Sequence, residues 1–311
     1  MEHPQLLDVV RRPLSPDTQI EVHTSWEEVD REDARYPLLQ YDAVRQIAIV
    51  KAAPTPLHTI MLTGLMINFC RNVNRQGLDE NITDRLFYES EATETTSGDG
   101  ATRRILNGAI RYKITDLDRL LMIAFEVGVS QTYTSLKDAI SYAICVLHCP
   151  LGIILCINER GRGRRPPVEY YQSMEAMNAA IQQAENDFRI QLQHCPYGPL
   201  VADGVTWFGR VSRVILDVFR KEHDDYPEGT RLEPTIVMDG QYVGGGVSPN
   251  LAEVTLGDCI PTHLLAGNEI QTIPVNFFQQ DWFENSFRSA MFNTAIARVR
   301  DKRKVVRQVQ N

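Results

Sequence analysis

The chain is predicted to fold as an α/β (α+β) protein with a central mixed sheet of about four strands flanked by helices. Three observations carry this. Residues 120–126 read LLMIAFE, apolar up to the last position, as in a strand buried on both faces. A helical period follows over 135–148, and residues 152–158 (GIILCIN) form a second wholly apolar run. Strand, helix, strand at this spacing is a βαβ unit with parallel strands. Composition agrees: of 311 residues, 43% are hydrophobic and 23% charged, so a core forms without staples.

Residues 1–36 carry many charges and little periodicity, and read as a loose arm with a short helix near 26–34. Residues 46–50 (QIAIV) are a short strand and APTP (53–56) turns the chain. Leu57, Ile60, Met61, Leu65, Phe69 and Val73 recur at three or four, the mark of a helix over 57–74 with one buried face. His58 in its first turn reads as a polar surface residue rather than a catalytic one. Strands are expected at 84–90 and 105–114, the latter broken at Asn107–Gly108, with an exposed loop at 92–102. Ser135 with Asp138 three residues on forms a capping-box-like helix start.

Beyond residue 160 a long amphipathic helix is expected over 173–194, stopped by Pro196 and Pro199. Strands are expected at 211–219, 235–238 and 252–256, a hairpin at 239–247, and a last helix over 280–303. No GxxxxGK or GxGxxG follows a strand, so no phosphate loop is present. The domain organisation read from this is an arm (1–36), a core (37–160) and an extension of helices and strands packed on it (161–311).

The formal charge of −8 argues against a wholly basic nucleic-acid coat, while leaving local patches open. The N-terminus lacks a secretory pattern and no apolar run is long enough to span a bilayer. An intracellular protein, nuclear or cytoplasmic, with reduced thiols is expected. Cys145, His148 and Cys149 invite a zinc reading, but no second ligand pair accompanies them.

Glu126 is the informative exception in its apolar run, because a carboxylate is rarely buried without a partner. It ends a central strand beside a turn, where open α/β sheets place ligands. It reads equally as an acid paired with an arginine, or as one exposed at the strand's end. The stretch AFEVGVSQTYTSLKDA (124–139), with LNGAIRY (106–112) before it, resembles the core of the PD-(D/E)XK nuclease-like superfamily. The branch is that of fungal, often transposon-associated, proteins and of bacterial relatives with the restriction-endonuclease fold. The resemblance covers roughly residues 40–160.

It implies a restriction-endonuclease-like core and carboxylates that hold magnesium against a phosphodiester of nucleic acid, DNA rather than RNA. Carried over by position, Glu126 matches the second acid. Asn107 stands where the first acid belongs and supplies only a neutral oxygen. Gly128 replaces the strand lysine, leaving Lys137 on the next helix as a migrated lysine and Gln131 as a neutral stand-in. Asp99, Asp116, Asp118 and Glu89 are the alternative acids. Arg103 and Arg104, and the loop Arg160, Arg162, Arg164 and Arg165, are candidate phosphate contacts. The six basic residues from Arg298 to Arg307 read as a nucleic-acid-touching or import-like segment, or as a solvated helix end. The expected function is a metal-dependent nuclease. The alternative is the same fold without activity, serving as a nucleic-acid or protein binding module. A third reading makes the motif accidental, in an unrelated α/β protein.

Overall fold

The computed structural model describes residues 6–306, apart from 12–13, 15–18, 31–37, 97–101, 117, 130, 162–165, 167, 221–229, 232–234, 240, 243–253, 266–270 and 276. The chain begins with α1 (Leu6–Val10), β1 (Gln19–His23) and α2 (Trp26–Asp30). Next come β2 (Leu38–Asp42), β3 (Ile47–Lys51), α3 (Pro56–Arg75) and α4 (Glu80–Thr83). The central run is β4 (Leu86–Thr96), β5 (Thr102–Lys113), β6 (Arg119–Val129), α5 (Tyr133–Cys145) and β7 (Leu151–Arg160). Then follow β8 (Glu169–Tyr171), α6 (Met174–His194), β9 (Leu200–Ala202), β10 (Val205–Phe208) and β11 (Arg210–Arg220). The chain closes with β12 (Thr230–Arg231), β13 (Thr235–Asp239), β14 (Gln241–Tyr242), α7 (Leu256–Cys259), α8 (Gln280–Lys302) and β15 (Arg303–Val305).

The fold is mixed α/β, around a mostly antiparallel sheet flanked by helices. Its strand order is β1-β3-β2-β5-β6-β7-β11-β13-β14, with β4 on the free side of β5 and β12 on β11. Among the described residues the sheet has eleven strands rather than about four. Within it, β6 and β7 pair in parallel through the crossover helix α5, as the βαβ spacing requires. β6 is buried from Leu121 to Val129, which explains its near-continuous apolar sequence.

The two faces of β6 serve different layers. Phe125, Val127 and Val129 join the larger core with α3 and α8, where Phe69, Phe283 and Phe287 are fully buried. Ala124 faces α5 with Ile154 and Cys156 of β7, against Leu136, Ile140, Ala143 and Ile144. Glu126 alternates with Ala124 and Gly128, so it belongs to the α5 face. α5 lies close on the sheet because Gly128 and Gly152 carry no side chain. A Cβ at Gly128 would come within 2.6 Å of Leu136 Cδ1, and one at Gly152 would overlap Ile140 Cγ2.

Several sequence expectations need correction. Residues 19–23, read as part of a loose arm, pair with β3 as an edge strand, and α1 and α2 pack on that ribbon through Leu6, Val9 and Val29. The ribbon's alternation is short, so its pairing with β3 was invisible locally. β5 runs through Asn107–Gly108 without a break, and β4 extends to Thr96 into the expected loop. The N-cap of α5 is Thr132, whose hydroxyl accepts from Ser135 N at 3.3 Å, one turn before the expected Ser135. In place of a strand ending at residue 256 a one-turn helix begins there, started by the Thr255/Asp258 capping box; residues 251–253 lie outside the description. Of the hairpin expected at 239–247, the pairing of β13 with β14 is present, while 240 and 243–247 fall outside the described residues.

Two residues of the basic C-terminal segment, Arg298 and Arg303, are turned inward, whereas Arg300 and Lys304 are exposed and Arg307 lies outside the described residues. Arg298 holds the buried Glu159 through both terminal nitrogens, at 2.8 and 2.9 Å, and also donates to the Trp207 carbonyl. Arg303 is fully buried and bonds Glu169 at 3.2 Å and Asp203. Arg300 pairs with Glu185 of α6. These pairs tie α8 and β15 to the rest of the chain, because a buried guanidinium charge is tolerated only when an opposite charge meets it.

Candidate functional site

β5 changes partner in the middle of its length. Residues 108–113 pair with β6, whereas Arg103 pairs with Tyr41 of β2, and Gln40 Nε2 donates to Ile105 O at 2.8 Å. At this fork the backbone ladder between β5 and β6 ends, leaving amides that need acceptors. Two side chains supply them. Asn107 N donates to Glu126 Oε1 at 3.2 Å, and Val127 N donates to Asn107 Oδ1 at 2.9 Å. The two residues singled out from sequence thus meet, each satisfying the other strand's amide.

Two further residues complete the cluster, neither of them selected from the sequence as functional. Lys51, the last residue of β3, is close enough to Glu126 to act on it electrostatically, though the two form no ion pair. His58, in the first turn of α3, faces the Asn107 side chain and the Val127 backbone. Its Nδ1 is buried without a hydrogen bond. The sequence signal for Lys51 was a lone cation closing the apolar run QIAIVK, the mirror of the lone acid closing LLMIAFE.

The cluster lies under a groove of about 770 Å³ between the β1–β3–β2 ribbon and the start of α5. Lys51, Gln40 and Arg104 line one side, and Gln131, Thr134 and Ser135 line the other. Arg104 is oriented by Asp42 at 3.2 Å and by the Tyr142 ring, 5.3 Å from its guanidinium carbon. Arg45 pairs with Glu21 at the exposed rim. α5 has 13 residues and no acid in its first turn, so the positive end of its dipole faces the groove, which Asp138 of the same helix also lines together with Glu21 and Asp42. Tyr133 anchors that turn by donating its hydroxyl proton to the buried Asp217 of β11.

Burial dominates the electrostatics of the cluster. Enclosure raises the Glu126 carboxyl pKa, against the opposing pull of Lys51, the Asn107 amide and Arg104. Enclosure lowers the Lys51 ammonium pKa; Glu126 opposes the shift and Arg104 adds to it. His58 is pushed down to about 4, chiefly by burial and also by Lys51, so its imidazole is neutral at pH 7.

The raised Glu126 pKa sets the sign of a stability test. Below the ordinary glutamate value, near 4.3, the acid is neutral in both folded and unfolded chains. Above it the unfolded chain ionises more readily, so folding loses stability as pH rises toward the folded value. Glu126→Gln stays neutral and keeps an acceptor for Asn107 N. It is expected to unfold at higher denaturant than wild type at pH 7 to 8, with the gap closing at pH 4. A variant less stable than wild type at pH 7 would show instead that attraction to Lys51 outweighs burial.

The other expected site residues scatter. Gln131 lines the groove, whereas Lys137 lies in the second turn of α5 and is not among the lining residues. Arg103 pairs with β2 at the fork beside Arg104. Arg160 is exposed at the end of β7, with Arg210 of β11 directly across, and Arg162, Arg164 and Arg165 lie outside the described residues. None of the described alternative acids joins Glu126. Glu89 is bound by Arg111 and Arg119, Asp116 by Lys113, and Asp118 sits in the exposed turn before β6. Asp99 falls outside the description.

A magnesium ion does not fit this donor set. Among the described residues Glu126 is the one carboxylate of the cluster, and the Asn107 oxygen already accepts a backbone proton. Their neighbours are a lysine, an arginine and an imidazole. Among the described residues no group of three or more His, Cys, Asp or Glu could hold a metal, which also removes the Cys145/His148/Cys149 arrangement. No protein-family model matches the chain, and neither a curated protein nor a solved structure matches it significantly. Among the described residues no helix is long and apolar enough to cross a membrane.

Proposed function

We propose that this chain is a nuclease-like-fold protein that binds nucleic acid in the groove without cleaving it. The order α3, β4, β5, β6, α5, β7 supports a PD-(D/E)XK-like core, as does the meeting of Asn107 with Glu126 at the fork. The observation that carries the binding reading is the pairing of Lys51 and Arg104 on one wall with the N-terminus of α5 on the other. A helix N-terminus presents free N–H groups and a positive dipole end to a phosphate, and the two cations complete the seat. Metal-assisted hydrolysis needs oxygen ligands for a hard dication, and here Lys51 sits where further negative charge would be required.

Fluorescence anisotropy with labelled duplex DNA, single-stranded DNA and RNA tests this, paired with a gel assay for cleavage in Mg²⁺ or Mn²⁺. Binding is expected at 50 mM salt and should weaken at 200 mM. The slope should correspond to roughly two or three phosphate contacts, each contributing about 0.7–0.9 to the log–log dependence. All substrates should remain intact. Metal-dependent cleavage that disappears in Glu126→Ala would establish the enzyme reading instead. Absence of binding to all three polymers at 50 mM salt would end the nucleic-acid reading.

A further inference from the structure

We propose that Tyr133 is a positioning residue, whose hydrogen bond to Asp217 fixes the first turn of α5 and thereby shapes the phosphate seat of the groove. This rests on the reading of that groove as a phosphate seat. Asp217 is, like Glu126, an acid sealed inside the central sheet. It interrupts the apolar run VILDVF (214–219) and is 1% exposed. Ile215 and Phe219 join the core on the α5 side, whereas Leu216 and Val218 join the other, so Asp217 faces α5. The strand registers set Glu126, Ile154 and Asp217 side by side on β6, β7 and β11. Each of the two buried acids holds a part of the groove's frame. Glu126 takes the Asn107 amide at the fork beneath it, and Asp217 takes the Tyr133 hydroxyl at the helix start that walls it.

A buried carboxylate is costly unless a donor meets it, so the Tyr133–Asp217 bond is not given up cheaply. Tyr133 is the first residue of α5, and Thr132, Thr134 and Ser135 on either side of it line the groove. The Ser135 amide is taken by the Thr132 hydroxyl at 3.3 Å. The Thr134 amide lies too near the helix start to have an intrahelical acceptor, which suits it to a phosphate oxygen. Its direction depends on how α5 is turned about its axis, and its order depends on the first turn not fraying. A side chain running from that turn to β11 fixes both. Packing of the Tyr133 ring against the α5-side core holds the side chain in line.

Four forms of the full chain test this: wild type, Tyr133→Phe, Asp217→Asn, and the pair Tyr133→Phe/Asp217→Leu. Each is titrated by anisotropy with the labelled duplex DNA, single-stranded DNA and RNA, unfolded in denaturant, and followed without ligand by amide hydrogen exchange. Tyr133→Phe leaves the acid buried without its phenol, and is expected to lose stability and about tenfold in affinity, because a frayed seat is competent only part of the time. Asp217→Asn keeps an oxygen for the hydroxyl and should bind within about threefold of wild type. The pair removes donor and acceptor together, the change that best restores stability. Its affinity is nevertheless expected to stay about tenfold down, with exchange over 133–136 about tenfold faster than in wild type and β6 and β7 unchanged. Affinity that returns with stability in the pair would make Tyr133 structural only and overturn the inference, while binding by wild type leaves the phosphate reading standing. No binding of any polymer by wild type ends the phosphate reading, and the role of Tyr133 with it.

Discussion

Gly152→Val should destabilise the protein by about 3 kcal/mol, the upper end of the usual cost of overpacking, and lower Tm by roughly 5 °C. Gly152 sits in β7 directly beneath α5, and an added Cβ would overlap Ile140 Cγ2, with Ile144 Cδ1 also within 3.3 Å. A flexible side-chain tip could move aside, but Cγ2 is fixed to the β-carbon of a β-branched residue. The helix itself must lift. The start of α5 forms one wall of the groove, so the same change should weaken nucleic-acid binding. Gly152→Ala should cost less than valine. Ile140→Ala combined with Gly152→Val should recover part of the loss, because the two residues share one space and their effects should not add. Wild-type stability in the valine variant would mean that α5 does not rest on β7 as described.

Lys51→Glu should reduce nucleic-acid affinity roughly 100-fold at low salt. A charge-assisted contact to phosphate is worth about 1.5–3 kcal/mol, and 1.4 kcal/mol is tenfold in binding. The substitution removes that contact and sets a second carboxylate beside Glu126, repelling the phosphate as well. Lys51→Met keeps most of the stem and removes only the charge, so its loss should be smaller, near tenfold. Lys137→Glu provides the contrast. It changes the same charge on the same protein but outside the groove lining, and should lower affinity less than threefold, through the general field alone. Anisotropy titrations of the three variants at one fixed salt concentration separate these outcomes. Equal losses for Lys51→Glu and Lys137→Glu would place the contact surface on the helix rather than in the groove.

The elements legible from sequence were those whose pattern closes within a few neighbouring residues. α3 announced itself through its apolar stripe behind Thr55 and Pro56. α6 did so through its stripe behind Ser173. The β6–α5–β7 crossover was legible because β6 and β7 are apolar on both faces and the intervening helix has period and cap. Glu126 was visible for the same reason, as one acid in an apolar run. Asn107 was selected by position, and its contact with Glu126 spans 19 residues of chain. The misses were non-local. β1 and β2 look like charged or ordinary segments until they pair with β3 and β5, and the arginines of α8 and β15 look like a tail until Glu159, Glu169 and Asp203 are placed around them.

The order of residues alone determined that this chain has a both-faces-buried parallel strand pair with an acid inside it, since burial in a strand is written in consecutive apolar positions. Only the tertiary structure decided what that acid meets. The fork where β5 passes from β6 to β2 brings Lys51 and Arg104 to Glu126, and His58 to Asn107, in place of further carboxylates. A buried charge takes its proton affinity from neighbours supplied by distant strands, and no local pattern encodes which strands those will be.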